Sequence, residues 1–339
     1  MTRRGFHTIE LNVDADWAQW DSFVCSSMLG TVYHQSGWLS ALRQGMGQDI
    51  RVHCLYEDGD IQMGGVLRVG RRFGITVGRK PWGTAYNGIV TRENTSEPLI
   101  DTFYRRIAGT YVQARLIQAP VPRSLATPSS PWSVAERVTP VVDTRDLADT
   151  WAKFDRRVRQ RVRKAASEGI QVEESNDFNA FSTLYGLSYQ RQGIELDLDL
   201  TALATTLTLA HANGVIRLFL ARVPSGQAAS GLVVGQDRHR AYFMLAGADP
   251  QFRNSDAMTL LWWRVMEILA PQCPEIDLVG LGTPGIERFK RSFSPELRPY
   301  SEAQMTIILG VPLPDGAVKR VARAVRRVYF SATGRGTEG

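Results

Sequence analysis

The chain has 339 residues, 43% hydrophobic and 22% charged, with 30 Gly and 16 Pro. These are ordinary globular values, which exclude wholesale disorder and collagen-like repeats, and the length suits about two domains. Lys plus Arg number 40 against 34 Asp plus Glu, a formal net of +6. No apolar run approaches the ~18–20 residues that span a bilayer. The start, MTRRGFHTIELNVDADW, has no apolar core after its Arg pair, so the expectation is a cytoplasmic protein without a signal peptide. Cys25, Cys54 and Cys273 and the five His are scattered, so no metal or disulfide framework is expected.

In chain order, Asp14 or Asp16 is placed to cap a first helix carrying Trp17, Trp20, Phe23 and Val24 on one face. Ser36 is placed to cap a second, with Trp38, Leu39 and Leu42 inward. Two strand-like runs then flank Asp58-Gly59, a strong hairpin signal. A strand over 73–77, a helix over 97–112 and the apolar strand ARLIQAP follow. Residues 119–133, rich in Pro and Ser, read as a linker, and 139–142 as a crossing strand. One long helix is predicted over 147–168, stopped by Gly169.

The second half repeats this order. Helices are predicted over 178–191 and 200–212, then a hairpin turned at Ser225-Gly226, the strand AYFMLAGA, a helix over 255–269 and the strand EIDLVG. Each hairpin carries a turn Gly (Gly59, Gly226) with another Gly five residues on (Gly64, Gly231). The reading is a duplicated α/β unit with mixed sheets and helices on their faces.

Three segments carry possible chemistry. The loop from Gly247 to Ala257 runs from a strand into a helix, and the free N–H groups of such a helix start suit an anion, with Arg253 adding a cation. The plainer alternative is a helix capped by Asn254 or Ser255. After EIDLVG a short helix presents Phe289, Lys290 and Phe293, and an ammonium there could stabilise a nascent oxyanion. The alternative is a solvated lysine beside two core rings. The third segment, Lys153 to Lys164, holds seven cations against Asp155. Phe154, Val158, Val162 and Ala165 make an apolar stripe, while Arg156, Arg159 and Arg163 form one cationic row and Arg157, Arg161 and Lys164 another. Such a face suits a nucleic-acid phosphate backbone, or is simply solvated. A basic stretch over 316–330 could touch membrane, RNA or its own fold.

GIERFKRSF after Asp277-Leu-Val-Gly280, together with His34–Leu39, Arg161–Ala165 and Gly247–Trp262, resembles the Fem-type aminoacyltransferases and a related acetyltransferase group of the GNAT superfamily. The resemblance spans most of residues 30–305. It implies an α/β fold of two tandem GNAT-like domains, each a mixed sheet flanked by helices. Residues 1–145 would form the first, 146–310 the second with the active site, and 311–339 a basic helix and tail. It implies an acyltransferase making an amide on a small-molecule or peptide amine, with aminoacyl-tRNA as preferred co-substrate, acyl-CoA as alternative and no other cofactor. Phe289 and Lys290 match the Fem catalytic pair. Arg253, Asn254, Ser255, Asp256 and Ala257 occupy the place of the CoA pyrophosphate loop but lack its glycines. The acidic run 194–199 stands where wall-precursor enzymes carry a cation, which speaks against that acceptor. A non-catalytic RNA- or surface-binding protein with this fold is the reading from another class.

Overall fold

A computed structural model describes residues 4–9, 14–72, 75–93, 95–120, 127–308 and 311–312. The first half contains β1 (Arg4–Ile9), α1 (Asp14–Ser26), α2 (Ser36–Met46), β2 (Ile50–Glu57), β3 (Asp60–Arg72), β4 (Ile75–Arg79), β5 (Ile89–Thr91), α3 (Glu97–Thr110) and β6 (Gln113–Ile117). Then come β7 (Ser133–Asp143), α4 (Leu147–Lys153), α5 (Arg156–Ser167), β8 (Gln171–Ser175), α6 (Phe178–Arg191) and α7 (Leu200–Ala212). The chain continues through β9 (Ile216–Arg222), β10 (Ala228–Gln236), β11 (Ala241–Ala248), α8 (Ala257–Leu269), β12 (Glu275–Asp277), α9 (Pro284–Arg291), β13 (Glu296–Ile308) and β14 (Val311–Pro312).

The order helix, helix, hairpin, strand, helix, strand recurs in the two halves, as the duplication required. Asp58 and Gly59 both take positive φ, the geometry of the tight hairpin turn their identities favour. The second glycine of each hairpin also has a packing reason. A Cβ on Gly64 would fall 2.4 Å from the Trp20 ring of α1, and one on Gly231 would fall 2.8 Å from the Phe181 ring of α6. In each half an aromatic side chain of the first helix rests on bare strand backbone.

The strands join in one mixed sheet of order β1-β2-β3-β4-β6-β13-β7-β12-β11-β10-β9-β8, with β5 on β3 and β14 on β13. Its centre is an exchange. β13, late in the chain, pairs with β6 of the first half, and β7, from the middle, pairs with β12. β7 and β13 themselves pair antiparallel from Glu296↔Val141 to Gln304↔Ser133. One buried cluster combines α1, α2, α6 and α7 from both halves. A second lies under α5 and α8, and a third under α3.

Several sequence expectations need correction. The helix predicted over 147–168 is two helices, broken at Phe154-Asp155. Phe154 is extended there and buried against Trp263 and Phe293, and the Asp155 N–H bonds the Ser292 carbonyl at 3.0 Å instead of its own helix. Ser36 does not cap α2 with its own hydroxyl. Both its N–H and its O–H go to the Asp21 carboxylate of α1. The crossing strand is longer than 139–142 and begins inside the predicted linker, at Ser133. The strand placed at 73–77 is β4, of which 75–79 are described. Helix α1 begins at Asp14, but the side chains of Asp14 and Asp16, and the whole basic stretch 316–330, lie outside what is described.

Candidate active site

β11 and β12 run parallel but pair only at Ala241↔Ile276 and Tyr242↔Asp277. Beyond Tyr242, β11 continues to Ala248 with β10 on one edge, while β12 stops and its chain turns away. The two strands therefore splay, leaving one edge of β11 without a strand partner from Phe243 onward among the described residues. An edge of this kind offers backbone donors and acceptors to an extended ligand.

The turn that ends β12 is strained and held from several sides. Val279 sits at φ 57, a left-handed conformation that a β-branched residue adopts at a cost of about 1–3 kcal/mol. Its N–H bonds Asp277 Oδ1 at 2.8 Å. The Gly280 N–H bonds Thr139 Oγ1 at 3.1 Å, and the Leu278 N–H bonds the Pro140 carbonyl at 2.9 Å. Both Thr139 and Pro140 come from β7.

Lys290 completes this turn. Its ammonium donates to the carbonyls of Val279 at 2.7 Å and Gly280 at 2.8 Å. One of its three N–H donors is left over. Burial pushes the ammonium down to about 8, against the attraction of the Asp277 charge. Helix α9 is fixed as the sequence suggested. Phe289 packs edge-on to Trp262 of α8 with centroids 4.9 Å apart, and Phe293, 1% exposed, fills the space between Trp262 and Phe154. Lys290 is thus neither a solvated lysine nor a free arm. It is clamped at the mouth of the strand splay.

Asp277 was not singled out by sequence reasoning, although an acid inside the apolar run EIDLV is a flag. It is wholly buried and accepts from Tyr86 Oη at 2.7 Å, Thr139 Oγ1 at 2.6 Å and Val279 N–H. Burial raises its carboxyl above the usual range, while the hydrogen bonds and the Arg240 charge restrain the rise. Three donors converging on it are the set an ionised carboxylate satisfies. Tyr86 stacks edgewise with Tyr33, Tyr242 and Tyr300, so residues of both halves wall the base of the site.

The loop before α8 also departs from the capping expectation. Ser255 Oγ donates to the Phe252 carbonyl and accepts the Ala257 N–H at 3.3 Å, but the N-cap position itself is Asp256 at φ 57. The Asp256 carboxylate lies 3.5 Å from Arg161 Nε and 3.5 Å from Lys164 Nζ. Lys164 also donates to the Asn254 carbonyl at 2.9 Å. The loop 253–257 and the basic helix α5, two separate segments in the sequence, thus form one place. Lys290 is on the same side of the sheet. Phe289 contacts Trp262, and Trp262 stands six residues, ~9 Å along the helix axis, past Asp256.

The cations of α5 divide. Arg161 and Lys164 face the loop, Arg159 donates to the Ala152 carbonyl, and Arg163 lies over the Trp151 ring at 5.9 Å. Arg156, Arg157 and Arg253 are exposed, with no ion-pair partner among the described residues. The pairs with Asp256 are long and partly solvated, so they hold Arg161 and Lys164 weakly.

Residues 152–291 match the family described as "Acetyltransferase (GNAT) domain". The crystal structure of FemX is similar, with TM-score 0.66 at 14% identity, covering 87% of this chain and 96% of that one. The C-terminal domain of a putative lysylphosphatidylglycerol synthetase from Agrobacterium fabrum gives a TM-score of 0.57 at 12% identity, over 86% and 92% of the two chains. L-PGS from Bacillus licheniformis gives 0.54 at 11%, over 84% and 90%. No curated protein sequence matches the chain.

Proposed function

We propose, starting from a chain with the tandem GNAT fold of the Fem type, that it transfers an aminoacyl group from tRNA to an amine acceptor. The observation that carries this reading is the clamped ammonium of Lys290 at the mouth of the β11–β12 splay. The donor's extended acyl end adds along the open edge of β11. The acceptor amine attacks the ester carbonyl, and the charge that develops on the carbonyl oxygen meets the remaining N–H of Lys290. The C–N bond forms, the ester C–O bond breaks, and the amine's proton leaves with the ribose oxygen. The donor is already activated, so positioning and charge stabilisation supply the catalysis.

The choice of tRNA over CoA rests on Asp256. At the start of α8, where backbone N–H groups and two cations would welcome a pyrophosphate, the chain places its own carboxylate. A CoA pyrophosphate would have to displace it. A tRNA instead meets the exposed cations Arg156, Arg157 and Arg253 around the loop.

The test is donor discharge. Incubated with charged tRNAs and with acyl-CoAs, the protein is expected to discharge the former, with binding that weakens steeply as salt is added. Preferential discharge of acyl-CoA, with tight salt-insensitive binding, would make the protein an acyl-CoA N-acyltransferase. Discharge of neither, beside salt-sensitive RNA binding, would make it a binding protein.

Asp256→Gly tests the reason for the choice. Gly fits φ 57 without strain and removes the carboxylate, freeing Arg161 and Lys164. CoA affinity, measured by calorimetry, is expected to rise about two- to fivefold, since one partly exposed charge contact is worth ~0.5–1 kcal/mol. Unchanged CoA affinity would remove Asp256 from the account of donor choice.

A further inference from the structure

We propose a second, anion-binding site on the first half of the chain: a cleft between the α2–β2 turn and strands β3 and β4 that takes a phosphate ester. This inference is independent of the acyl-transfer reading. The cleft has a volume of about 510 Å³ and is open to solvent, within the range of small-molecule sites, and Arg68, Arg71 and Arg79 are among the residues that line it.

Two observations set these arginines apart. First, Arg68 and Arg79 are direct cross-strand partners. Like charges facing each other across an antiparallel pair repel, and neither of the two forms an ion pair among the described residues. Second, none of the three forms an ion pair among the described residues, in a protein whose other strand arginines are largely spoken for. Arg115 and Arg137 bond Glu302, Arg217 bonds Glu174, Arg222 bonds Glu173 and Arg298 bonds Glu275. The one acid lining the cleft, Asp49, faces Arg51, which donates to both its carboxylate oxygens.

The frame is rigid. The Val69 N–H bonds the Asp49 carbonyl at 2.7 Å, and the Gln48 side chain accepts the Trp82 N–H at 3.2 Å. Between the arginines the floor is Gly70, where even an added Cβ would meet only Val77 at 3.7 Å. A small tetrahedral group therefore reaches the strand backbone.

The spacing selects the ligand class. Directly opposed residues hold their Cβ atoms ~5 Å apart, so both guanidinium forks are within reach of one ligand. A phosphate monoester presents three terminal oxygens and up to two negative charges to the two forks, more acceptors and more charge than one carboxylate brings.

The probe is inorganic pyrophosphate, titrated calorimetrically into the full chain at low salt, with thermal melts alongside. The parent is expected to bind it saturably. Arg68→Gln and Arg79→Gln should each weaken binding at least tenfold, and Arg222→Gln on β9, an arginine paired with Glu173, should leave it unchanged. Without ligand, Arg68→Gln should melt at or above the parent, because the cross-strand repulsion is gone. Vesicles of phosphatidylcholine with phosphatidic acid, added as competitor, separate a lipid-borne phosphate from a soluble one, and the open but narrow cleft points to the soluble ester, so no competition is expected. Absence of saturable pyrophosphate binding, or equal binding by parent and the Arg68 and Arg79 variants, overturns the proposal.

Discussion

Lys290→Met is expected to lower the rate of transfer from pre-bound donor by ~10²-fold or more, the loss seen when one donor to a developing oxyanion is removed. The methionine keeps most of the apolar stem, and Phe289 and Phe293 still anchor α9. The turn at Val279 still has Asp277, Thr139 and Pro140 to hold it. Donor affinity should change far less than rate, because the contact strengthens only as charge develops. The parent's pH profile supplies a second check. The ammonium, lowered to about 8 by burial, is lost as pH rises through that value. The parent's rate should fall above about pH 8, and the variant should lack this limb. A well-folded variant with the parent's single-turnover rate would exclude Lys290 from the chemistry.

Asp277→Asn should cost at least tenfold in rate at pH 7, by a different route. The amide has nearly the shape of the carboxylate and can still accept from Thr139 and Val279 N–H with its oxygen. It lacks the charge that supports the Lys290 ammonium. The alkaline limb should therefore move below its position in the parent, because the attraction that opposed desolvation is gone. Tyr86→Phe, which removes one hydrogen bond and keeps the charge, should leave the limb near its original place. An Asn variant whose limb does not move would make Asp277 a purely structural acid.

What the sequence discloses follows the range of the interactions. α6, α7 and β11 are set by local periodicity and by near neighbours such as Asp177 and Asp199, whose carboxylates cap the first turns, and they are found at their anticipated bounds. The Asp58-Gly59 turn is likewise a property of two residues. The helix break at Phe154-Asp155 was invisible because its cause, Ser292 and Phe293, lies far along the chain. The same applies to the site. Phe289 and Lys290 stood out in one short motif, and so did the loop with Asp256. Tyr86 and Thr139 did not, since they meet Asp277 at sequence separations of 191 and 138. That α5 lies against the loop 253–257 also depends on tertiary packing, which an arginine-rich stripe cannot announce.

The exchange of β7 and β13 at the centre of the sheet bears on how this protein becomes active at all. Residues 152–291 include Lys290, Asp277, Asp256 and all of α5, yet the backbone acceptor for Leu278 and the hydroxyl for Gly280 belong to β7. A ribosome that has released every side chain of the motif has still not produced the site until the earlier strand has been captured by β12 and, in turn, by β13. Under the proposed function, catalytic competence would therefore be an assembly event that joins the middle of the chain to its late strands. The turn at Val279 takes three of its hydrogen bonds from Asp277, Thr139 and Pro140, so under the proposed function a chain that has not yet paired β7 with β12 would lack part of the frame that holds Lys290 in place.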